Sequence, residues 1–209
     1  MNAVQPSHQP NPFRPTSLAS AGRLWATLGV AAMTEHFLRH MPPDLAAHER
    51  DIERTRKAMS TAKAKGDAVV VIERAGELAS MLTSARKEAE ARELLVPLLA
   101  SAREHPLAEP TGWYFLAFGT ASQYLGLRAQ ANVMFAEALA HARSQAWENL
   151  EHFVLHHWGR SLAEQRDFSR ARECFTQALA IRERLNDPHF RASTRRALDA
   201  LCELEAGRA

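Results

Sequence analysis

The stretch that decides the fold is residues 159–178, GRSLAEQRDFSRARECFTQA. A glycine begins it inside a predicted helix, where glycine costs about 1 kcal/mol relative to alanine. Small and aromatic residues follow this glycine at fixed distances, at Ala171, Phe175 and Ala178. We interpret the spacing as two antiparallel helices that approach each other most closely at Gly159, where a side chain would clash.

The same four positions recur at a fixed interval, from 159 back to 119 and from 119 back to 79. They are filled by Gly119, Ala131, Phe135 and Ala138 in one copy, and by Ala79, Ala91, Leu95 and Leu98 in the other. A fixed interval of this size is typical of stacked helical repeats. We expect the alanine of each second helix to face the glycine, and the aromatic residue to fill the gap to the next unit.

This pattern resembles the tetratricopeptide repeat over about residues 67–188. The third unit matches best, since Trp158, Leu162 and Phe168 also suit the motif. The usual period is about 34 residues. The interval here is longer, so these units are similar to the longer repeats of the kinesin light chain type. HEAT repeats, with periods of about 40–47 residues, remain an alternative. The resemblance implies an all-α fold, an α-α superhelix in which antiparallel helix pairs form a right-handed solenoid.

Proline, glycine and capping residues divide the chain into segments. We expect a disordered tail (1–16), an N-terminal helical pair (17–66), three repeats (about 67–106, 107–146 and 147–187) and a C-terminal capping helix (188–206). Asp44, Asp67 and Asp187 are expected to cap helices. The first helix of the pair is predicted to run to about His40.

The second helix of that pair has a narrow apolar stripe, formed by Leu45, Ile52, Met59 and Ala62. Such a stripe fits a helix that lies on the surface of the protein. It also fits a short coiled-coil seam between two copies, so a homo-oligomer remains open.

The composition argues against several classes of function. With 26 Lys and Arg against 24 Asp and Glu, the formal net charge is +2, so we expect no direct nucleic-acid partner. The longest apolar stretch, Leu24 to Met33, is too short to span a membrane. The cysteines, Cys174 and Cys202, form no CxxC pair, which favours thiols in a reducing compartment and a cytoplasmic protein.

The sequence predicts neither catalysis nor a cofactor. His152 and His156 lie one helical turn apart and could reach one metal ion, but no Asp, Glu or Cys stands at a matching spacing. We therefore expect histidines on a packed or groove-facing helix, without a metal. The chain also lacks the GxSxG, P-loop and GxGxxG motifs, so we expect no enzyme.

The resemblance implies a concave groove, lined by the first helix of each unit, that binds a peptide or a partner's helix. Its positions correspond here to Trp113, Leu116, Thr120, Gln123 and Tyr124 in the second unit, and to Phe153, His156, Arg160, Ala163 and Glu164 in the third. The first unit adds Glu73, Gly76, Ser80, Thr83 and Ser84, and the capping helix adds Arg196. Aromatic residues and arginine are favoured at binding hot spots. They predict a peptide with an apolar side chain and an acidic group or C-terminal carboxylate, unless Trp113 and Phe153 simply pack against neighbouring helices.

The leading interpretation is therefore a scaffold or adaptor that binds a protein or peptide partner. One alternative is a signal- or peptide-sensing module that works with a DNA-binding domain. Another is a structural protein that self-associates through residues 44–65 or through the outer face of the array.

Overall fold

The computed structural model describes residues 36–39 and 41–207. Its elements are α1 (Leu45–Lys65), α2 (Ala68–Ser84), α3 (Glu88–Leu95), a 3-10 turn (Val96–Leu98), α4 (Leu99–Arg103), α5 (Glu109–Tyr124), α6 (Arg128–Ser144), α7 (Glu148–Glu164), α8 (Phe168–Arg184) and α9 (Pro188–Ala206). No β-strand occurs in this part of the chain, which confirms the predicted all-α class. None of the described helices combines the length and the apolar character needed to cross a bilayer.

The predicted disordered tail and almost all of the first N-terminal helix lie outside the described residues. At the end of that predicted helix, residues 36–38 form a bend and a turn, and Arg39 has no regular structure. The expectation that the helix continues to about residue 40 is therefore wrong for these residues.

Neighbouring helices pack in a series, as a helical repeat requires. Helix α1 packs on α2, α2 on α5, α5 on α6 and α7, α7 on α8, and α8 on α9. Helices α3 and α4 act as one bent helix, which α2 contacts along both parts. Pro97 lies in the 3-10 turn between them, and a proline inside a helix removes a backbone hydrogen bond.

The turns between these helices recur at half of the repeat interval. A left-handed backbone, with φ from 53° to 72°, is found at Gly66, Arg86, Gly126, Ala146, Arg166 and Asn186. Helices commonly end with one residue in this conformation, since it lets the last carbonyl groups find donors. The position missing from this series is Pro106, whose ring holds φ at a negative value. Each of the later repeats therefore contains two helices, and each helix is followed by a turn of the same kind.

Aspartate side chains begin four of the helices. Asp44, Asp67, Asp167 and Asp187 each accept a hydrogen bond from a backbone N–H in the first turn that follows. The predicted caps at 44, 67 and 187 are thus confirmed, and a cap of this kind contributes about 1 kcal/mol.

An aromatic ring, rather than an alanine, is the closest side chain to each repeat glycine. A Cβ atom at Gly159 would lie 2.7 Å from Phe175 Cε1, and one at Gly119 would lie 2.8 Å from Phe135 Cδ1. The expected close approach is present, but the expected neighbour was wrong. The reason is that a helical side chain leans toward the N-terminus of its helix, over the turn that precedes it. A small residue there, such as the fully buried Ala171, leaves room for the ring.

The narrow apolar stripe of α1 packs against another helix of the same chain. Ile52, Met59 and Ala62 are buried, and α1 packs on α2. Leu45, which was predicted to belong to the stripe, is instead 54% exposed at the start of the helix.

Candidate functional site

A short non-helical segment, His36-Phe37-Leu38-Arg39, lies against helices on which the groove was predicted. We call it the HFLR segment. Its atoms contact groups on α2, α3, α5, α7 and α8. Because all these helices come later in the chain, the segment docks on the repeats through long-range contacts.

Two side chains of α7 bind both backbone polar groups of Phe37. Glu164 Oε1 accepts its N–H at 2.9 Å, and Arg160 Nε donates to its carbonyl oxygen at 3.0 Å. Residues 160 and 164 share one face of α7 because they lie four positions apart. We call this pair the backbone clamp. Every residue except proline carries the same two groups, so the clamp can hold a chain largely independently of its side chains.

Two residues of α5 orient the backbone clamp. Gln123 Nε2 donates to Glu164 Oε1 at 2.8 Å, and Arg160 Nη2 donates to the Tyr124 hydroxyl at 2.7 Å. Arg160 is only 6% exposed, so these bonds hold a guanidinium group that is largely removed from water. Four of the predicted groove residues therefore form one hydrogen-bonded cluster across α5 and α7.

The side chain of Phe37 fills an apolar pocket. It is 4% exposed and stacks on Phe175, with the ring centroids 6.2 Å apart. The surrounding cluster is apolar and consists of Leu162, Ala163, Phe168, Ala171, Ala197 and Leu201. Phe175 is also the ring that packs over Gly159. Because Gly159 has no side chain, the Phe175 ring can lie against its helix and form one wall of this pocket.

The guanidinium group of Arg39 occupies a second, acidic pocket. It lies 4.3 Å above the centre of the Tyr124 ring and donates to the Thr83 carbonyl oxygen at 2.7 Å. It also forms an ion pair with Glu88, and both side chains are largely buried. The structure therefore places a basic side chain in the groove, whereas the groove's arginines predict an acidic group on a bound peptide.

The remaining groove residues on α5 and α7 are mostly packed against one another. Trp113 and Phe153 form an edge-to-face pair at 5.3 Å, as the packing alternative anticipated, yet both keep part of their surface exposed. Leu116 and His156 are buried. The Thr120 hydroxyl donates to the carbonyl oxygen of Leu116 at 2.9 Å.

Two further predictions lie away from the HFLR segment. Arg196 is exposed on α9, and no hydrogen bond or ion pair joins it to the backbone clamp within the described residues. Gly76 is buried at the contact between α2 and α5, where an added Cβ would lie 3.2 Å from Tyr114 Cα. Gly76 therefore serves helix packing, because a larger residue there would push the two backbones apart.

The histidines weighed as metal ligands surround a buried arginine instead. Arg182 is 1% exposed and donates to His152 Nδ1 at 3.2 Å and to the Phe190 carbonyl oxygen at 2.9 Å. Its guanidinium group also lies 3.4 Å from His156 Nδ1 and 5.7 Å from the centre of the Phe153 ring. Among the described residues, no group of three or more His, Cys, Asp or Glu side chains could hold a metal ion.

Burial sets the protonation of this cluster. It lowers the pKa of His152 to about 3, with the charge of Arg182 as the second cause. The pKa of His156 is also lowered well below its usual value, first by burial and then by Arg182. Both imidazoles are therefore neutral near pH 7 and free to accept hydrogen bonds from the guanidinium group.

Three participants in these sites are not predicted from the sequence: the HFLR segment, Glu88 and Arg182. Only Arg182 carried a usable signal. The equivalent positions of the earlier repeats hold Ala102 and Ala142, both fully buried. A large charged residue at a position that the repeat reserves for alanine indicates a buried polar cluster.

No protein-family model matches the sequence. A comparison with curated proteins found none that is significantly similar. The contacts between the HFLR segment and the helices are thus the evidence from which a function is inferred.

Proposed function

We propose that the protein is an interaction adaptor of the tetratricopeptide type, which binds an extended peptide along α5 and α7. The observation that carries this proposal is the backbone clamp, in which Arg160 and Glu164 bind the carbonyl and the N–H of one non-helical residue. Hydrogen bonds to charged groups of this kind contribute about 1.5–3 kcal/mol each.

The clamp favours an extended peptide over a partner's helix. In a helix interior, the backbone N–H and carbonyl of a residue are already bonded within the helix. Both groups of Phe37 are instead available to side chains of α7. A ligand residue held in the same way must therefore lie outside a helix.

The tetratricopeptide assignment is supported by the fixed repeat interval and by the ring that packs over each repeat glycine. The burial of the α1 stripe against α2 favours the adaptor over self-association through residues 44–65. The cysteines are not joined by a disulfide, which supports a reducing compartment such as the cytoplasm.

A peptide-display library panned on the full-length wild type, and on full-length Phe37→Ala/Arg39→Ala, in which the segment that occupies the clamp is weakened, tests the proposal. The affinities of enriched peptides are measured by titration calorimetry for the wild type, for Arg160→Ala/Glu164→Ala, and for a matched control, Glu53→Ala/Arg54→Ala. The control removes the same two charge types from exposed positions of α1.

We expect at least about a tenfold loss of affinity in the clamp variant, the equivalent of one hydrogen bond to a charged group. The control should bind like the wild type. The thermal unfolding of each variant is followed by circular dichroism, so that a loss of affinity is compared among folded proteins. Equal affinities for the clamp variant and the control, or a library without enriched peptides on either protein, would show that the clamp is not a peptide site.

A further inference from the structure

We infer that this site selects peptides in which an aromatic residue is followed two positions later by arginine, and that the HFLR segment is a built-in competitor that such a peptide displaces. The inference rests on the proposed peptide-binding function and names its ligand class.

The first specificity position is the pocket of Phe37. Its walls are apolar, and Phe175 offers a ring for stacking at 6.2 Å. Aromatic side chains combine a large apolar area with favourable ring-to-ring contacts. An aromatic residue therefore fits this pocket better than a small or charged one.

The second specificity position is the pocket of Arg39. It offers the Glu88 carboxylate, the Thr83 carbonyl oxygen and the face of the Tyr124 ring. A planar guanidinium group can donate to the first two while it stacks on the third. Lysine lacks the planar group, so the same position selects arginine over lysine.

The middle position selects little. The Leu38 side chain is 45% exposed, so most of its possible replacements would project into solvent without a clash. Between the two pockets, recognition comes from the backbone clamp.

Several features show that the HFLR segment is an imperfect occupant. Two buried side-chain nitrogens within the described residues make no hydrogen bond, and both belong to this segment: Arg39 Nε, and His36 Nδ1, which lies 3.6 Å from Glu164 Oε2. Leu38 has a left-handed φ of 50°, which is unfavourable for a residue with a side chain. A buried polar atom without a partner also costs free energy.

A free peptide need not carry these defects. It can take another residue in place of His36, and its middle residue can adopt an ordinary extended conformation. The HFLR segment has the compensating advantage of being tethered, which gives it a high effective concentration at the site. The wild type should therefore bind an external peptide weakly, and release of the segment should strengthen binding.

The test uses fluorescence anisotropy with a fluorescein-labelled peptide, TEHFLRHM, which has the sequence of residues 34–41. It is titrated with the full-length wild type, with Phe37→Ala/Arg39→Ala, and with Leu45→Ala/Arg54→Ala as the matched control. The control truncates one leucine and one arginine at exposed positions of α1.

We expect the Phe37→Ala/Arg39→Ala protein to bind the peptide at least about tenfold more tightly than the wild type, because the tethered competitor has been weakened. The control should match the wild type. Labelled peptides in which the phenylalanine or the arginine is replaced by alanine should lose most of this affinity. Arg160→Ala/Glu164→Ala, added to the released variant, should abolish it.

A second release variant keeps the test decisive if Phe37→Ala/Arg39→Ala does not fold. Arg39→Glu keeps Phe37 and places a negative charge beside Glu88, so it should release the segment by repulsion and give the same gain in affinity. Circular dichroism and thermal unfolding show which of the two variants is folded and is used for the comparison.

The outcomes separate this inference from the proposed function. Equal affinity of TEHFLRHM for the wild type and the folded release variants would overturn the inference that the HFLR segment competes with external peptides. No binding of TEHFLRHM, alongside clamp-dependent binding of library peptides, would overturn the ligand class while leaving the proposed function standing. Loss of both kinds of binding would overturn both. A wild-type dimer in light scattering that becomes a monomer on release would place the segment between two copies, and would overturn the built-in competitor.

Discussion

Glu164 accepts the backbone N–H of Phe37 at 2.9 Å, although 127 residues separate them in the sequence. The contact brings the start of the described chain onto the last repeat. It also gives the phenylalanine two roles, since its backbone lies in the clamp and its ring lies in the apolar pocket.

Phe37→Ala should lower the free energy of unfolding by about 1.5–3 kcal/mol, the contribution expected from burying an aromatic side chain. Urea unfolding followed by circular dichroism measures the change. Leu45→Ala removes an exposed leucine and should change stability by less than about 0.5 kcal/mol. Similar losses for the two variants would show that the Phe37 pocket contributes little.

Gly159→Ala and Phe175→Leu should be strongly coupled. A methyl group at 159 would lie 2.7 Å from the Phe175 ring, and overpacking costs about 1–3 kcal/mol. With leucine at 175 the clash is relieved, and alanine gains about 1 kcal/mol in helix propensity. The first repeat already holds this pair, as Ala79 and Leu95.

Urea unfolding of the wild type, the two single variants and the double variant gives the coupling directly. We expect a favourable interaction of about 1 kcal/mol or more in the double variant, as is usual for residues in contact. Strictly additive effects would contradict the view that the Phe175 ring excludes a side chain from position 159.

Ala146→Gly and Gly126→Ala should change stability in opposite directions. Ala146 has a φ of 54°, and Gly126 occupies an equivalent turn with a φ of 72° and open space around it. A left-handed residue with a side chain costs about 1–2 kcal/mol, against about 0.5–1 kcal/mol for the extra freedom of glycine when unfolded.

Ala146→Gly should thus stabilise the protein by about 0.5–1 kcal/mol, and Gly126→Ala should destabilise it by a similar amount. Thermal unfolding monitors both. Ala140→Gly, at an exposed position within α6, serves as the control and should be destabilising. A loss of stability in Ala146→Gly would contradict the strain attributed to the turn.

The protein should lose stability in mild acid. The pKa of His152 is lowered to about 3 in the folded protein, while an unfolded histidine has a pKa of about 6.5. Between these values the unfolded chain binds more protons, so the free energy of unfolding decreases as the pH falls below about 6.5. The lowered pKa of His156 acts in the same direction.

At pH 5 His152 should cost up to about 2 kcal/mol of stability relative to pH 7.5. Urea unfolding at the two pH values measures the loss. His152→Gln should reduce the difference, whereas His189→Gln, at an exposed position, should leave it unchanged. An identical loss in the wild type and His152→Gln would exclude His152 as a source.

Local signals were sufficient to predict the helix starts at Asp44, Asp67 and Asp187. Asp67 and Asp187 start helices through contacts with residues two or three positions away, and Gly66 and Gly126 end helices with a left-handed backbone. The repeat interval also predicted the close approach at Gly159, since the same spacing occurs in two copies. These features depend on near neighbours or on repetition, which one sequence displays.

The docking of the HFLR segment could not be predicted in this way. Its nearest neighbours suit a helix, whereas its partners Thr83, Glu88, Arg160 and Glu164 lie far along the chain. The groove positions implied by the tetratricopeptide resemblance included three of these four partners, but they gave no indication that the chain itself would fill the site. Likewise, the partners of the buried Arg182 are the His152 imidazole on α7 and the Phe190 carbonyl oxygen on α9. Its own neighbours in the sequence do not reveal them.

One consequence concerns how the helices come apart. In a stack whose units touch only their neighbours, each end can fray without disturbing the other. Here the HFLR segment is bonded to Thr83 and Glu88 in the first repeat and to Arg160 and Glu164 in the third. Opening either end breaks contacts that help to hold the other, so the segment makes unfolding more nearly all-or-none. Release of the segment would therefore lower the cooperativity of unfolding of the whole stack.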